Sequence, residues 1–155
     1  MGRRAGAAAE RVTRVAVTDS HALIWYAMGP GRRLGRAARA LFARAERGEA
    51  TIYVPTFVLV EVAEAIRRGG LRFDLSTVAS AKVDAGFSRW ARALLTSGGF
   101  AAADLTAAVV LEADGLYAIR ERGDRLIAAT AVHLECPLIT RDPALARVPS
   151  LTTIW

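Results

Sequence analysis

The sequence predicts a single-domain α/β protein with a central, mostly parallel sheet. Three observations lead there. Short β-branched runs alternate with longer amphipathic stretches, the pattern of parallel strands joined by helices. The 155 residues, 53% of them hydrophobic, suit one domain with a sizeable core. No linker, internal repeat or low-complexity tract splits the chain. Its start is different: residues 1–11 are rich in Ala and Arg and are expected to be a frayed basic extension, with contact to nucleic acid or membrane as the alternative. Arg3, Arg4, Arg11 and Arg14 stand among alanines, and the apolar stretch of a secretory signal is missing. The folded unit is expected over residues 12–155.

The first strand is expected over residues 11–18, where Val15 and Val17 alternate with small or polar neighbours. Asp19-Ser20-His21 then opens a helix from Ala22 to Met28, stopped by Gly29-Pro30-Gly31. Ala38, Leu41, Phe42 and Ala45 recur at helical spacing and predict a second helix from Gly35 to Glu46. Thr51 to Val54 is a short buried strand. Pro55-Thr56 breaks it, and a long helix from Phe57 to Arg68 follows, with Gly69-Gly70 as its stop. Residues 71–85 fit no pattern. Phe87 to Leu95 is expected to be a helix or a helix–strand piece, and Leu105 to Glu112 is expected to be helical. A further helix is expected to begin at Asp124, with Leu126, Ile127, Thr130, Ala131 and Leu134 on its packed side, and to end by Pro137. Leu138 to Thr140 is a buried strand followed at once by Asp142-Pro143, and Leu151 to Trp155 is a last strand.

The charge pattern narrows the chemistry. The net charge is +6, and Lys82 is the only lysine among 21 basic residues. Arginine presents a planar fork that matches phosphate, although a wealth of Ala, Arg and Gly also follows from biased codon usage. Four acids hold distinctive places: Asp19, Glu61, Asp124 and Asp142. Each stands beside an apolar segment that reads as a strand or a helix. With those four set aside, 11 acidic residues remain against 21 basic ones, so the rest of the chain carries +10. An acid-lined pocket on a basic body would hold metal inside and attract a polyanion outside.

Each acid has an ordinary reading beside the functional one. Asp19 and Asp142 suit helix N-caps or turns. Both also follow a buried strand, and in open parallel sheets the active crevice lies beyond the carboxyl ends of the strands. Glu61 lies among Leu59, Val60, Val62 and Ala63, where a carboxylate is costly unless paired or bound to metal. Glu64 is its competitor, but Arg67 and Arg68 beside it fit a solvated ion pair. Asp124, at a helix start, suits the helix dipole, and Glu121 near it is either an auxiliary acid or surface. Together the four acids suit Mg²⁺ or Mn²⁺, which take hard oxygen ligands and keep several waters.

Other chemistries fit less well. Ser20-His21 beside Asp19 lacks a nucleophile elbow, and sequence neighbours rarely build a triad. His21 and His133 are too few for a zinc site. Cys136 is the only cysteine, so neither an intrachain disulfide nor a thiolate zinc site can form, which fits a reducing cytoplasm. No apolar run is long enough to span a membrane. A phosphoacceptor receiver domain would want a lysine after a late strand, and Lys82 is not placed for that. There is no glycine-rich phosphate loop.

The chain resembles the PIN-domain nucleases, most closely the VapC-like toxins of bacterial toxin–antitoxin operons. The likeness runs from Val15 to Trp155. It rests on the segment from Val17 to Trp25, on Leu59 to Ala63 continuing to Arg67-Arg68-Gly69-Gly70-Leu71, on Gly123 to Ala131, and on Pro137 to Asp142. Glu121-Arg122 stands where the family has Asp-Pro. The resemblance implies a three-layer α/β/α sandwich and Asp19, Glu61, Asp124 and Asp142 as an acidic quartet for Mg²⁺ or Mn²⁺, with Thr140 assisting. It implies endoribonuclease activity that hydrolyses a backbone phosphodiester of RNA, often tRNA or rRNA, leaving a 5′-phosphate and a 3′-hydroxyl. It also implies a cognate antitoxin that lays an arm across the toxin near the Glu61 helix, and a homodimer or toxin–antitoxin hetero-oligomer. The alternative on the same fold is a non-catalytic module that binds RNA or protein.

Overall fold

One parallel sheet organises the computed structural model, which describes residues 13–29, 33–68 and 86–155. Its strands are β1 (Val15–Thr18), β2 (Thr51–Pro55), β3 (Phe100–Ala103), β4 (Leu138–Ile139) and β5 (Thr153–Ile154), in the order β3-β2-β1-β4-β5. Between β1 and β2 run α1 (Ser20–Ala27) and α2 (Arg36–Glu46), and between β2 and β3 run α3 (Thr56–Arg67) and α4 (Phe87–Thr96). The chain then crosses back through α5 (Ala107–Asp114) and α6 (Arg122–His133) to β4, and through α7 (Pro143–Ala146) to β5. The expected basic extension, the Pro30-Gly31 turn, the Gly69-Gly70 stop and Lys82 lie outside the described residues.

The registers Ala16↔Ile52 and Val17↔Leu138 bring fully buried side chains side by side. Ala16 and Val17 point to opposite faces, and both have no exposure, so the sheet is covered on both sides. By the right-handed rule for parallel crossovers, α1 to α4 cover one face and α5 with α6 the other. The contacts agree: α5 packs on α6, and α6 lies along β1. At one end of the core Tyr26 stacks on Phe42 at 4.5 Å between centroids and leans on Phe100 at 5.4 Å. The Tyr26 hydroxyl donates to Glu46 Oε1 at 2.9 Å.

Several elements, β1, α1 and β5 among them, end a few residues from the sequence expectation, and three differences have a clear physical reason. β3 has no counterpart in the sequence pattern, because Ala101, Ala102 and Ala103 carry little strand preference; pairing along β2, from Ile52↔Phe100 to Pro55↔Ala103, overrides it. α6 begins at Arg122, two residues before Asp124, and ends at His133, ahead of Glu135 at φ 51°. α5 begins at Ala107 because the Thr106 hydroxyl caps it, accepting from Val109 N–H at 3.3 Å.

Gly99 lets β3 pass under α2. A Cβ there would lie 2.0 Å from the carbonyl oxygen of Ala45, a backbone atom that cannot swing away. Gly99→Ala is therefore expected to destabilise the fold by about 1–3 kcal/mol, the usual range for forced overpacking. Urea denaturation checks this; the midpoint should fall while the slope stays constant.

Candidate active site

β1 has β2 on one side and β4 on the other, so the direction of strand addition reverses around it. At such a switch point the loops leaving the strand ends diverge and open a crevice. Asp19 follows β1 directly. Its N–H donates to the Ile139 carbonyl at 3.1 Å, which ties it to the end of β4. It is buried, and its Oδ1 accepts the Ala22 N–H at 2.7 Å, capping α1. On the neighbouring strand end, Thr140 is also buried. Its Oγ1 accepts the Asp142 N–H at 3.1 Å, and its hydroxyl lies near enough to Asp19 to favour the ionised carboxylate. Thr140 thus joins two of the acids. Asp142 Oδ1 accepts the Ala144 N–H at 2.7 Å and caps α7. The cap reading and the site reading of these residues therefore coexist, since each cap occupies one carboxylate oxygen.

Glu61 and Asp124 come from helices. Glu61 sits midway along α3, and Asp124 lies in the first turn of α6. The two helices touch at Gly123, where a Cβ would stand 2.8 Å from Glu61 Oε1 and 2.8 Å from the Phe57 ring edge. A bare backbone at 123 is what lets α6 bring Asp124 beside Glu61. Glu61 Oε2 accepts a hydrogen bond from the Ser20 hydroxyl. Sequence reasoning misses Ser20 in this role, because its partner lies on a helix 41 residues away. Glu64 instead pairs with Arg68 at 3.1 Å, as its arginine neighbours imply.

The acids sense one another. Burial pushes the Asp124 carboxyl above its usual range, and the charges of Asp142, Glu121, Glu61 and Asp19 push it further. Burial likewise raises Asp19; hydrogen bonds from Thr140 and Ala22 and the nearby His21 oppose the rise, and Asp142 adds to it. Among the described residues no arginine is paired with any of the four. Among those residues, too, no three Asp, Glu, His or Cys side chains are already drawn around one point. The donor set fits a hard divalent cation in kind and in charge: oxygen only, and unneutralised by arginine. Beside Asp124 and Asp142 opens a cavity of about 660 Å³, walled by Leu116, Ile119, Leu145 and Val148.

Gly123→Ala tests the α3–α6 approach. Glu61 can swing aside, but the Phe57 ring must shift as well, so the helices should persist with a modest loss of stability while the carboxylate leaves its place. We expect divalent-cation affinity to fall about 10-fold, the scale for displaced metal-site support, with an unchanged circular dichroism spectrum. Mn²⁺ titration calorimetry reads the first quantity.

A family model described as PIN domain matches residues 16–151. Among solved structures, a chain of VapBC2 from Rickettsia felis, crystallised bound to a DNA fragment from their promoter, superposes with a TM-score of 0.61 at 18% identity. That match covers 90% of this chain and 97% of that one. A chain of a toxin–antitoxin complex from Klebsiella pneumoniae gives a TM-score of 0.57 at 16% identity, over 90% of this chain and 96% of that one. At such identities the likeness is one of fold. A comparison with curated proteins gives no match.

Proposed function

This chain belongs to the PIN-domain family, and from that premise we propose that it is a divalent-metal-dependent endoribonuclease acting as the toxin of a toxin–antitoxin pair. The observation that carries the reading is the group of four mutually interacting, unneutralised carboxylates at the switch point of the sheet. Asp19, Glu61, Asp124 and Asp142 would hold Mg²⁺ or Mn²⁺. That ion, when bound, supplies a water of lowered pKa and neutralises charge on the phosphoryl oxygens.

The chain's own residues prepare the site. The Ala22 and Ala144 N–H groups fix Asp19 and Asp142 through one oxygen each. Thr140 orients Asp19 and the start of the Asp142 turn, and Ser20 orients Glu61. These bonds restrict Asp19, Asp142 and Glu61 before substrate arrives, so less order is lost on binding. The basic body of the protein draws RNA toward the acidic crevice. The product ends would be a 5′-phosphate and a 3′-hydroxyl, with a structured RNA such as tRNA or rRNA as the target.

An antitoxin partner is supported by the fold likeness to a chain from a toxin–antitoxin complex. A homodimer or a toxin–antitoxin hetero-oligomer is the assembly we propose. Among the described residues no helix is long and apolar enough to cross a membrane. One observation favours the second reading, a non-catalytic binding module: the carboxylates do not yet surround a single point. EDTA titration in an RNA cleavage assay separates the two. Cleavage restored by Mg²⁺ or Mn²⁺ supports the nuclease; RNA binding with no metal-sensitive product supports the module.

A further inference from the structure

Arg141 lies between Thr140 and Asp142, next in the chain to one of the four acids, yet among the described residues it pairs with none of them. Its guanidinium is held instead over the Trp25 ring, 4.8 Å from the centroid. Trp25 belongs to a larger aromatic group. The His21 ring lies 5.8 Å from it and the Trp155 ring 5.5 Å from it, edge-on. Trp155 packs against Gly35, where an added Cβ would come within 2.3 Å of the Trp155 backbone and 2.6 Å of its ring. His21 and Arg141 are exposed, and Trp25 and Trp155 are half-buried. Beside the strand ends that carry Asp19 and Asp142 there is thus an aromatic group carrying a guanidinium that makes no ion pair among the described residues.

That combination fits a particular ligand. Unpaired bases stack on aromatic rings and on arginine planes whatever their sequence. The guanidinium fork matches a phosphate. An acidic crevice repels a polyanion, so a strand running through it needs a cation at the rim. A basic peptide would be attracted by the acids but repelled by Arg141, so RNA is favoured over a protein arm here.

Resting on the ribonuclease reading above, we propose that Arg141, held on Trp25, together with His21, Trp25 and Trp155, forms a docking platform for an unpaired nucleotide next to the scissile phosphate. Arg141 takes the phosphate, and the exposed edge of the ring group takes the base.

The test measures binding of a labelled single-stranded RNA octamer to the full chain by fluorescence anisotropy in EDTA, at fixed salt. No metal and no cleavage are then involved. Arg141→Ala is expected to weaken binding about 10-fold and Trp25→Ala by a similar factor, the scale of one lost stacking contact. Arg141→Lys should recover only part of the loss, because an ammonium lacks the planar fork. Arg47→Ala is the charge-matched control. Arg47 pairs with Glu49 at 2.8 Å just ahead of β2, at the amino end of the strands and away from the crevice, and its loss should change binding less than about 2-fold. If Arg141→Ala and Arg47→Ala bind alike, or the unmodified chain binds no RNA, the platform is refuted; equal binding would assign the aromatic group to packing or to a protein partner. A chain that binds RNA through Arg141 but never cleaves it would keep the platform and refute the nuclease.

Discussion

Asp19→Asn and Asp124→Asn each lower metal-dependent RNA cleavage about 10³-fold, the scale on which a group that stabilises transition-state charge is felt, and leave the fold intact. Asparagine is chosen for what it retains. At an N-cap it serves as well as aspartate, so the amide oxygen of the Asp19→Asn variant still accepts the Ala22 N–H and α1 still begins at Ser20. Only the charge is removed. If Asp19 served merely as a cap, the variant would cleave as the parent does, and the catalytic assignment would fail. Asp124 gives a second, independent reading because no side-chain bond from it caps α6. Its substitution removes one of a set of repelling charges and should not unfold the helix. Product analysis on a defined RNA, with circular dichroism on the same samples, measures both halves of the expectation.

Stability should depend on divalent cation and on pH together. Asp19 and Asp124 both bind protons more tightly in the folded chain than in the unfolded one, chiefly through burial. As pH rises from about 4, the ordinary aspartate value, toward the raised folded values, the native state holds more protons than the unfolded state. Folding stability from these groups is therefore greatest below that window and falls as pH climbs through it. In EDTA the parent should lose stability relative to Asp124→Asn between mildly acidic and neutral pH. A saturating divalent cation should reverse the order, since it binds the ionised carboxylates of the folded chain. At a hundredfold excess over its dissociation constant the gain is about 2.7 kcal/mol. Urea midpoints with EDTA and with Mg²⁺ across this pH range provide the comparison. Equal midpoints in the two buffers at neutral pH would mean that the acids do not take up an ion.

Much of the fold is legible because apolar runs and stop signals agree along the chain. Val15 and Val17 in β1, Ile52 and Val54 in β2, and the spacing of Ala38, Leu41, Phe42 and Ala45 in α2 each announce their elements. β3 is hidden because its alanines carry no strand signal and its identity comes from β2. The four acids can be singled out because each stands at the end of, or within, an apolar segment. Glu61 can be separated from Glu64 because arginine neighbours lie one turn on from the latter. What holds the acids in place is not legible. Gly123 matters only because α3 approaches α6, and Ser20 only because Glu61 reaches it. The aromatic group joins Trp25 to Trp155, residues that meet only once α1 lies beside the end of β5. Contacts between distant segments leave no local trace in a sequence.

Anomalous scattering from a crystal soaked in Mn²⁺ tests the central claim most directly. A strong peak among the Asp19, Glu61, Asp124 and Asp142 carboxylates, with those side chains drawn toward it, is the result predicted here. A crevice left empty at saturating Mn²⁺, or an ion bound elsewhere while the acids stay apart, would contradict it.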